Sequence, residues 1–210
     1  MYTIRSDHRA ESVIEKSRFI CTLKKVADEG AAQEFIKATK KEFWDATHNC
    51  SAYLIDDLAQ RSSDDGEPAG TAGLPMLEVL RKNELVGVAA VVTRYFGGVK
   101  LGAGGLVRAY SGSVAQAVRE CGLAQKVLLG TFALTVEAAA AGKLLNVLYG
   151  QQVFSVTGVE YGARQAKILL QLPQAQQVEA EQWLTEALNR TTQLELTGSD
   201  YLEVPVTREK

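Results

Sequence analysis

The chain has 210 residues, 46% of them hydrophobic and 23% charged, with a formal net charge of −2. That balance is globular rather than fibrous or disordered, and it excludes a protein that coats nucleic acid indiscriminately. No uncharged apolar run approaches the roughly 18 residues of a membrane helix, and charges in "MYTIRSDHRAESVIEKSRF" stand where a signal peptide has its apolar core, so no membrane association and a cytoplasmic location are expected.

In chain order, "SVIEKSRFICTLKKV" reads as one strand, with Phe19, Cys21 and Leu23 alternating. Asp28 is placed to cap a helix through Phe43. "HNCSAYLID" reads as a strand with Cys50, Ala52 and Leu54 on one face, and an acidic glycine loop follows it. "LPMLEVLRKN" is a short helix whose Pro75 falls in the first turn. "VGVAAVVTRYF", uncharged until Arg94, reads as a central strand. The glycine-rich loop "GGVKLGAGG" leads into a helix over "LVRAYSGSVAQAVREC", which Gly122 is placed to end.

The rest of the chain changes rhythm. "GTFALTVEA", "QQVFSVTGVEYG", "RQAKILLQLP" and "TTQLELTGSDYLEV" read as strands, and "AAAGKLLNVLYG" and "QAQQVEAEQWLTEALNR" as helices. Their order is β-α-β-β-α-β, a ferredoxin-like unit with a hairpin at "EYGAR". An α+β protein of two domains, 1–126 and 127–210, is expected. Cys21, Cys50 and Cys121 are odd in number, widely spaced and free of any C-x-x-C pair, so they read as buried reduced thiols.

The charges are segregated. From Leu85 to Arg119 there is no acidic residue, while Arg94, Lys100, Arg108 and Arg119 are present. Within this span Gly97, Gly98, Gly102, Gly104 and Gly105 lie between a strand end and a helix start. Glycine lets a backbone approach a ligand, and a helix start offers unpaired N–H groups and a positive dipole end. With Arg94, Tyr95, Lys100 and Arg108, these glycines form a candidate anion- or nucleic-acid-binding site. Neither the P-loop spacing nor G-x-G-x-x-G is present, so no particular nucleotide is indicated. Phe96 reads as core.

Asp64, Asp65 and Glu67 admit three readings: carboxylates that hold Mg²⁺, a solvated turn, or a loop in which Asp65 or Glu67 accepts the backbone N–H groups of "GTAG". His48 and Cys50, at i and i+2, share a strand face and could begin a metal site, but two ligands do not hold zinc. A histidine packed beside the acidic loop is the preferred reading. A Ser-His-Asp set from Ser63 or Ser111, His48 and Asp64 lacks the nucleophile elbow G-x-S-x-G. His48, Asp64, Asp65 and Glu67 are therefore candidates for a cleft wall, with no catalytic or metal role assigned and no cofactor expected.

"KSRF" (16–19), "HNCSA" (48–52), "SDDGEPAGTAGLPML" (63–77) and "VVTRYFGGVKLGAGGLVRAY" (91–110) resemble the IMPACT family, in particular its bacterial YigZ/YvyE-like members. The resemblance implies an N-terminal α+β domain sharing the fold of ribonuclease PH, GHMP kinases and domain IV of elongation factor G. It implies a ferredoxin-like C-terminal domain similar to domain V of that factor. Eukaryotic relatives are linked to translational control in amino-acid starvation, through competition for the activator of an initiation-factor kinase. For bacterial members the family suggests nucleic-acid or ribosome association. The expectation is a non-enzymatic protein that binds RNA or a ribosome-like surface, possible translation control included. The alternatives are a Mg²⁺-dependent enzyme acting on a phosphorylated small molecule or nucleotide, and a protein-interaction module with a protein partner.

Overall fold

Residues 12–26, expected as one strand, belong to a hairpin. β1 (Tyr2–Ile4) precedes it, and β2 (His8–Ile14) pairs antiparallel with β3 (Ser17–Lys25) from His8↔Leu23 to Ile14↔Ser17. Glu15 and Lys16 make the turn with φ of 45° and 65°. Two successive left-handed residues suit the twist of a tight hairpin, a position usually signalled by Asn-Gly. Glu-Lys carries no such signal.

The computed structural model describes residues 1–206. It is α+β, and its contacts divide it into Met1–Gln125, together with residues 204–206, and Lys126–Glu203. The first unit continues with α1 (Glu29–Glu42), β4 (His48–Leu54), β5 (Gln60–Ser63), α2 (Gly73–Lys82), β6 (Val88–Tyr95) and α3 (Gly102–Cys121). Its main sheet runs β2-β3-β6-β4-β5, with every neighbour antiparallel. β6 is central, as its uncharged apolar run demands, and Val88–Arg94 are all buried.

Helices cover both faces of this sheet. On one, Phe19, Cys50, Ala52 and Val92 pack with Met76 and Leu80 of α2 and Tyr110 and Val114 of α3. On the other, Ala32 of α1 packs with Val26, Tyr53 and Ala89. Asp28 caps α1, accepting the Ala31 N–H at 2.8 Å. Gly122 ends α3 with φ of 74°, where a side chain would be strained. α3 begins at Gly102, four residues before the expected Leu106, so Gly102, Gly104 and Gly105 belong to its first turn rather than to a loop. β1 and β5, three and four residues long, carry too short a pattern to read from sequence.

The second unit takes all but the first three residues of β7 (Leu123–Glu137), then α4 (Ala138–Tyr149), β8 (Ser155–Tyr161), β9 (Gln165–Pro173), α5 (Gln177–Leu188), and all but the last three residues of β10 (Glu195–Val206). The strand order is β10-β7-β9-β8, with β9 antiparallel to both β7 and β8. Alternate residues Phe132, Leu134 and Val136 of β7 and Ile168, Leu170 and Leu172 of β9 face Leu144 and Leu148 of α4 and Leu184 of α5. Among the described residues no helix is long and apolar enough to cross a membrane.

Candidate functional site

The three loop acids face three different ways, and each is engaged. Asp64 accepts the N–H groups of Gly70 (2.8 Å), Ala72 (3.0 Å) and Gly73 (2.8 Å), which fixes the start of α2. Burial alone would raise its carboxyl; these backbone bonds outweigh that and hold it below the ordinary range. The backbone-clamping role that sequence offered to Asp65 or Glu67 is thus filled by Asp64. Asp65, at φ 45°, accepts Lys40 Nζ at 2.5 Å and the Asn49 N–H at 2.6 Å. Glu67 turns inward.

Glu67 accepts Arg94 Nη1 at 2.6 Å and the Tyr110 hydroxyl at 2.8 Å, both through Oε1. Arg94 thus lies within the protein, its guanidinium 5.5 Å from the ring centres of both Phe19 and Phe96. Its Nη2 lies 3.4 Å from Ser17 Oγ, and its Nε is buried with no partner among the described residues. Burial, Cys50 and Glu67 all push the Tyr110 phenol above its ordinary value, so it stays a donor.

His48 packs beside this cluster. Its Nδ1 lies 2.8 Å from the Asp65 carbonyl, which can only accept, so Nδ1 donates there, and Nε2 faces Glu67 Oε2 at 3.8 Å. Cys50 donates to the Asp64 carbonyl, and burial pushes its thiol up to about 12, which makes it inert. Burial likewise raises the Cys21 thiol, while Cys121 is only partly buried. No group of three or more His, Cys, Asp or Glu side chains is arranged to hold a metal among the described residues. Ser111 Oγ is bonded back to Val107 O within α3.

The glycine segment splits into an inner and an outer part. Arg94 points inward, the Tyr95 hydroxyl donates to Asp45 at 2.9 Å, and the Gly97 N–H donates to Ser17 Oγ at 3.2 Å. Lys100, Gly102, Gly104 and Arg108 are exposed, as is Gly98. No side chain caps α3, and Arg108 Nη1 folds back over Gly104 at the helix start. A groove of about 410 Å³ there is lined by Ile14, Glu15, Val99, Lys100, Leu101, Gly105, Arg108 and Ala109. Glu15 is the one carboxylate among those residues. Phe96, expected in the core, is 47% exposed, and Trp44 is 81% exposed. The loop turns Phe96 outward while Arg94 backs its ring.

Sequence reasoning passed over Ser17, Lys40, Asn49 and the role of Tyr110. "KSRF" and "HNCSA" contain Ser17 and Asn49, but nothing in a short polar run says which buried partner it will meet. Tyr110 falls on the buried face of α3, and helical spacing reports that burial but not the donor that fixes Glu67.

These features define a two-unit α+β protein whose first unit buries an Arg–Glu–Tyr cluster beneath a glycine-rich helix start. The family model of the Impact N-terminal domain matches residues 15–118. IMPACT family member YvyE of Bacillus subtilis is 42% identical over 207 residues, covering 98% of this chain and 94% of that protein. IMPACT family member YigZ of Escherichia coli is 45% identical over 128 residues, covering 59% of this chain and 63% of that protein. The crystal structure of a hypothetical protein superposes with a TM-score of 0.59 at 34% identity, covering 94% of this chain and 97% of that one. The chain belongs to the IMPACT family.

Proposed function

We propose that the first unit binds RNA or a ribosome-like RNA surface at the start of α3, without catalysis, as a cytoplasmic protein with a role in translation. The observation that carries this reading is the uncapped, glycine-built start of α3 between exposed Lys100 and Arg108, within a span free of acids from Leu85 to Arg119. Unpaired N–H groups and flanking cations suit phosphate, and Phe96 offers a π-face to a neighbouring base. The family's eukaryotic link to translational control points the same way. The β10-β7-β9-β8 order supports the ferredoxin-like reading of the second domain. The likeness of the first domain to ribonuclease PH, GHMP kinases and domain IV of elongation factor G belongs to this proposal too.

The test is single-stranded RNA binding by fluorescence anisotropy across a salt series. Lys100→Ala with Arg108→Ala should weaken binding about tenfold or more. It should also reduce the slope of log K against log salt by about 1.4, at ~0.7 per phosphate contact. Unchanged affinity and slope in that variant overturn the reading.

A further inference from the structure

On the opposite face of the first unit's sheet, α1 packs over β6 and β4, and a groove of about 450 Å³ lies between it and the edge strand β5. Its wall is the stripe Gln33, Ile36, Lys37 and Lys40, the i, i+3, i+4, i+7 face of α1. Its floor follows from register. Ser51 stands opposite Ser63 and Tyr53 opposite Arg61, and directly paired residues share a face. Tyr53 belongs to the α1-side cluster, so all four side chains project toward the helix.

The chemistry of this groove is one-sided. Lys37, Lys40 and Arg61 line it together with the hydroxyls of Ser51 and Ser63, and none of the lining residues carries a carboxylate. Lys40 is held by Asp65, and the Tyr53 hydroxyl donates to Glu29 at 2.7 Å. Lys37 and Arg61 are exposed, and their side chains make no hydrogen bond or ion pair among the described residues. Two unpaired cations on a rigid helix and strand, with serine donors between them, fit an anion that accepts several hydrogen bonds and carries more than one charge. A phosphate does both: arginine forks onto its oxygens, lysine adds a point charge, and serine hydroxyls donate. The volume falls within the ~300–1,000 Å³ of small-molecule sites, and Ile36 supplies an apolar side.

We propose that this groove binds the phosphate of a small phosphorylated ligand of nucleotide size, through Lys37, Arg61 and the β4–β5 serines. The site is independent of the surface at the start of α3. Its phosphate comes either from a free nucleotide or from the 5′ end of a strand.

The folded chain is titrated with inorganic pyrophosphate, adenosine 5′-monophosphate and a short 5′-phosphorylated RNA, followed by amide NMR shifts. Binding should move the Ser62 and Ser63 amides. Read at those amides, the binding of pyrophosphate and of the monophosphate should weaken about tenfold or more in Lys37→Ala with Arg61→Ala, survive in Lys37→Arg, and be unchanged in Lys100→Ala with Arg108→Ala. A response of the Ser62 and Ser63 amides to the RNA alone, lost in the Lys37/Arg61 variant, supports the site and assigns the phosphate to a strand. No shift of the Ser62 and Ser63 amides with any of the three at millimolar concentration, or equal pyrophosphate and monophosphate affinity in the Lys37/Arg61 variant, overturns the proposal. Because Lys100 and Arg108 are probed separately, failure here is distinct from failure of the RNA surface.

Discussion

Arg94 and Glu67 meet at 2.6 Å with side chains 6% and 4% exposed, joining the end of the central strand to the acidic loop. Removing one partner leaves the other's charge buried, which costs about 3–5 kcal/mol. Glu67→Ala and Arg94→Ala should each lower the free energy of urea unfolding by that amount. Glu67→Ala combined with Arg94→Ala should lose less than the sum, with a coupling of about 1–3 kcal/mol. Additive losses would mean that the pair is not a unit. Arg94→Ala is accordingly a stability variant and a poor probe of surface binding.

Asp64 gives a second stability test, this time against pH. Its carboxyl is held below the ordinary range, because the Gly70, Gly73 and Ala72 bonds outweigh the opposing effect of burial. A depressed folded value means a contribution present above the unfolded value of about 3.9 and lost as pH falls through the folded one. Acid should therefore weaken the wild type from about pH 5 downward more steeply than Asp64→Asn, whose amide does not titrate in this range. At neutral pH Asp64→Ala should cost about 1–2 kcal/mol, the range for a lost helix cap. Equal acid slopes in the two proteins would remove the carboxylate from this role.

Much of the framework was legible because periodicity reports burial. β6 announced itself as central by eight uncharged residues, Val86–Thr93, and α1 by Asp28 at its cap. The site was legible in composition but not in direction. The acid-free glycine segment stood out, yet alternation along β6 cannot tell that Arg94 turns in to Glu67 while Phe96 turns out. That choice depends on a partner 27 residues away and on a rotamer, neither of which leaves a local pattern. The Glu15-Lys16 turn was illegible for a related reason: its left-handed backbone is imposed by the strands it joins.

Two glycines of the segment should respond oppositely to alanine. A Cβ on Gly97 would lie 2.0 Å from the carbonyl carbon and oxygen of Lys16, backbone atoms that cannot yield without moving the β2–β3 turn. Gly97→Ala should destabilise by more than about 2 kcal/mol, at the upper end of overpacking effects. A Cβ on Gly104 would meet only Arg108 Nη1, at 3.5 Å. Gly104→Ala should leave thermal stability equal or up to about 1 kcal/mol higher, as expected when a helical glycine gains a methyl group. Wild-type stability in Gly97→Ala would disprove the close approach.

Phe96 separates the RNA reading from simple charge attraction. Its ring is 47% exposed with Arg94 5.5 Å behind it, so the face is presented rather than packed away. Base stacking on an aromatic ring contributes about 1–3 kcal/mol, so Phe96→Ala should weaken single-stranded RNA binding roughly 5- to 150-fold. The slope of log K against log salt should stay at its wild-type value, since no phosphate contact is lost. Phe96→Trp should restore affinity, because indole offers a larger stacking face. Binding that is unchanged in Phe96→Ala would leave phosphate contacts alone at this surface, and a changed salt slope would assign Phe96 to holding the cations in place instead.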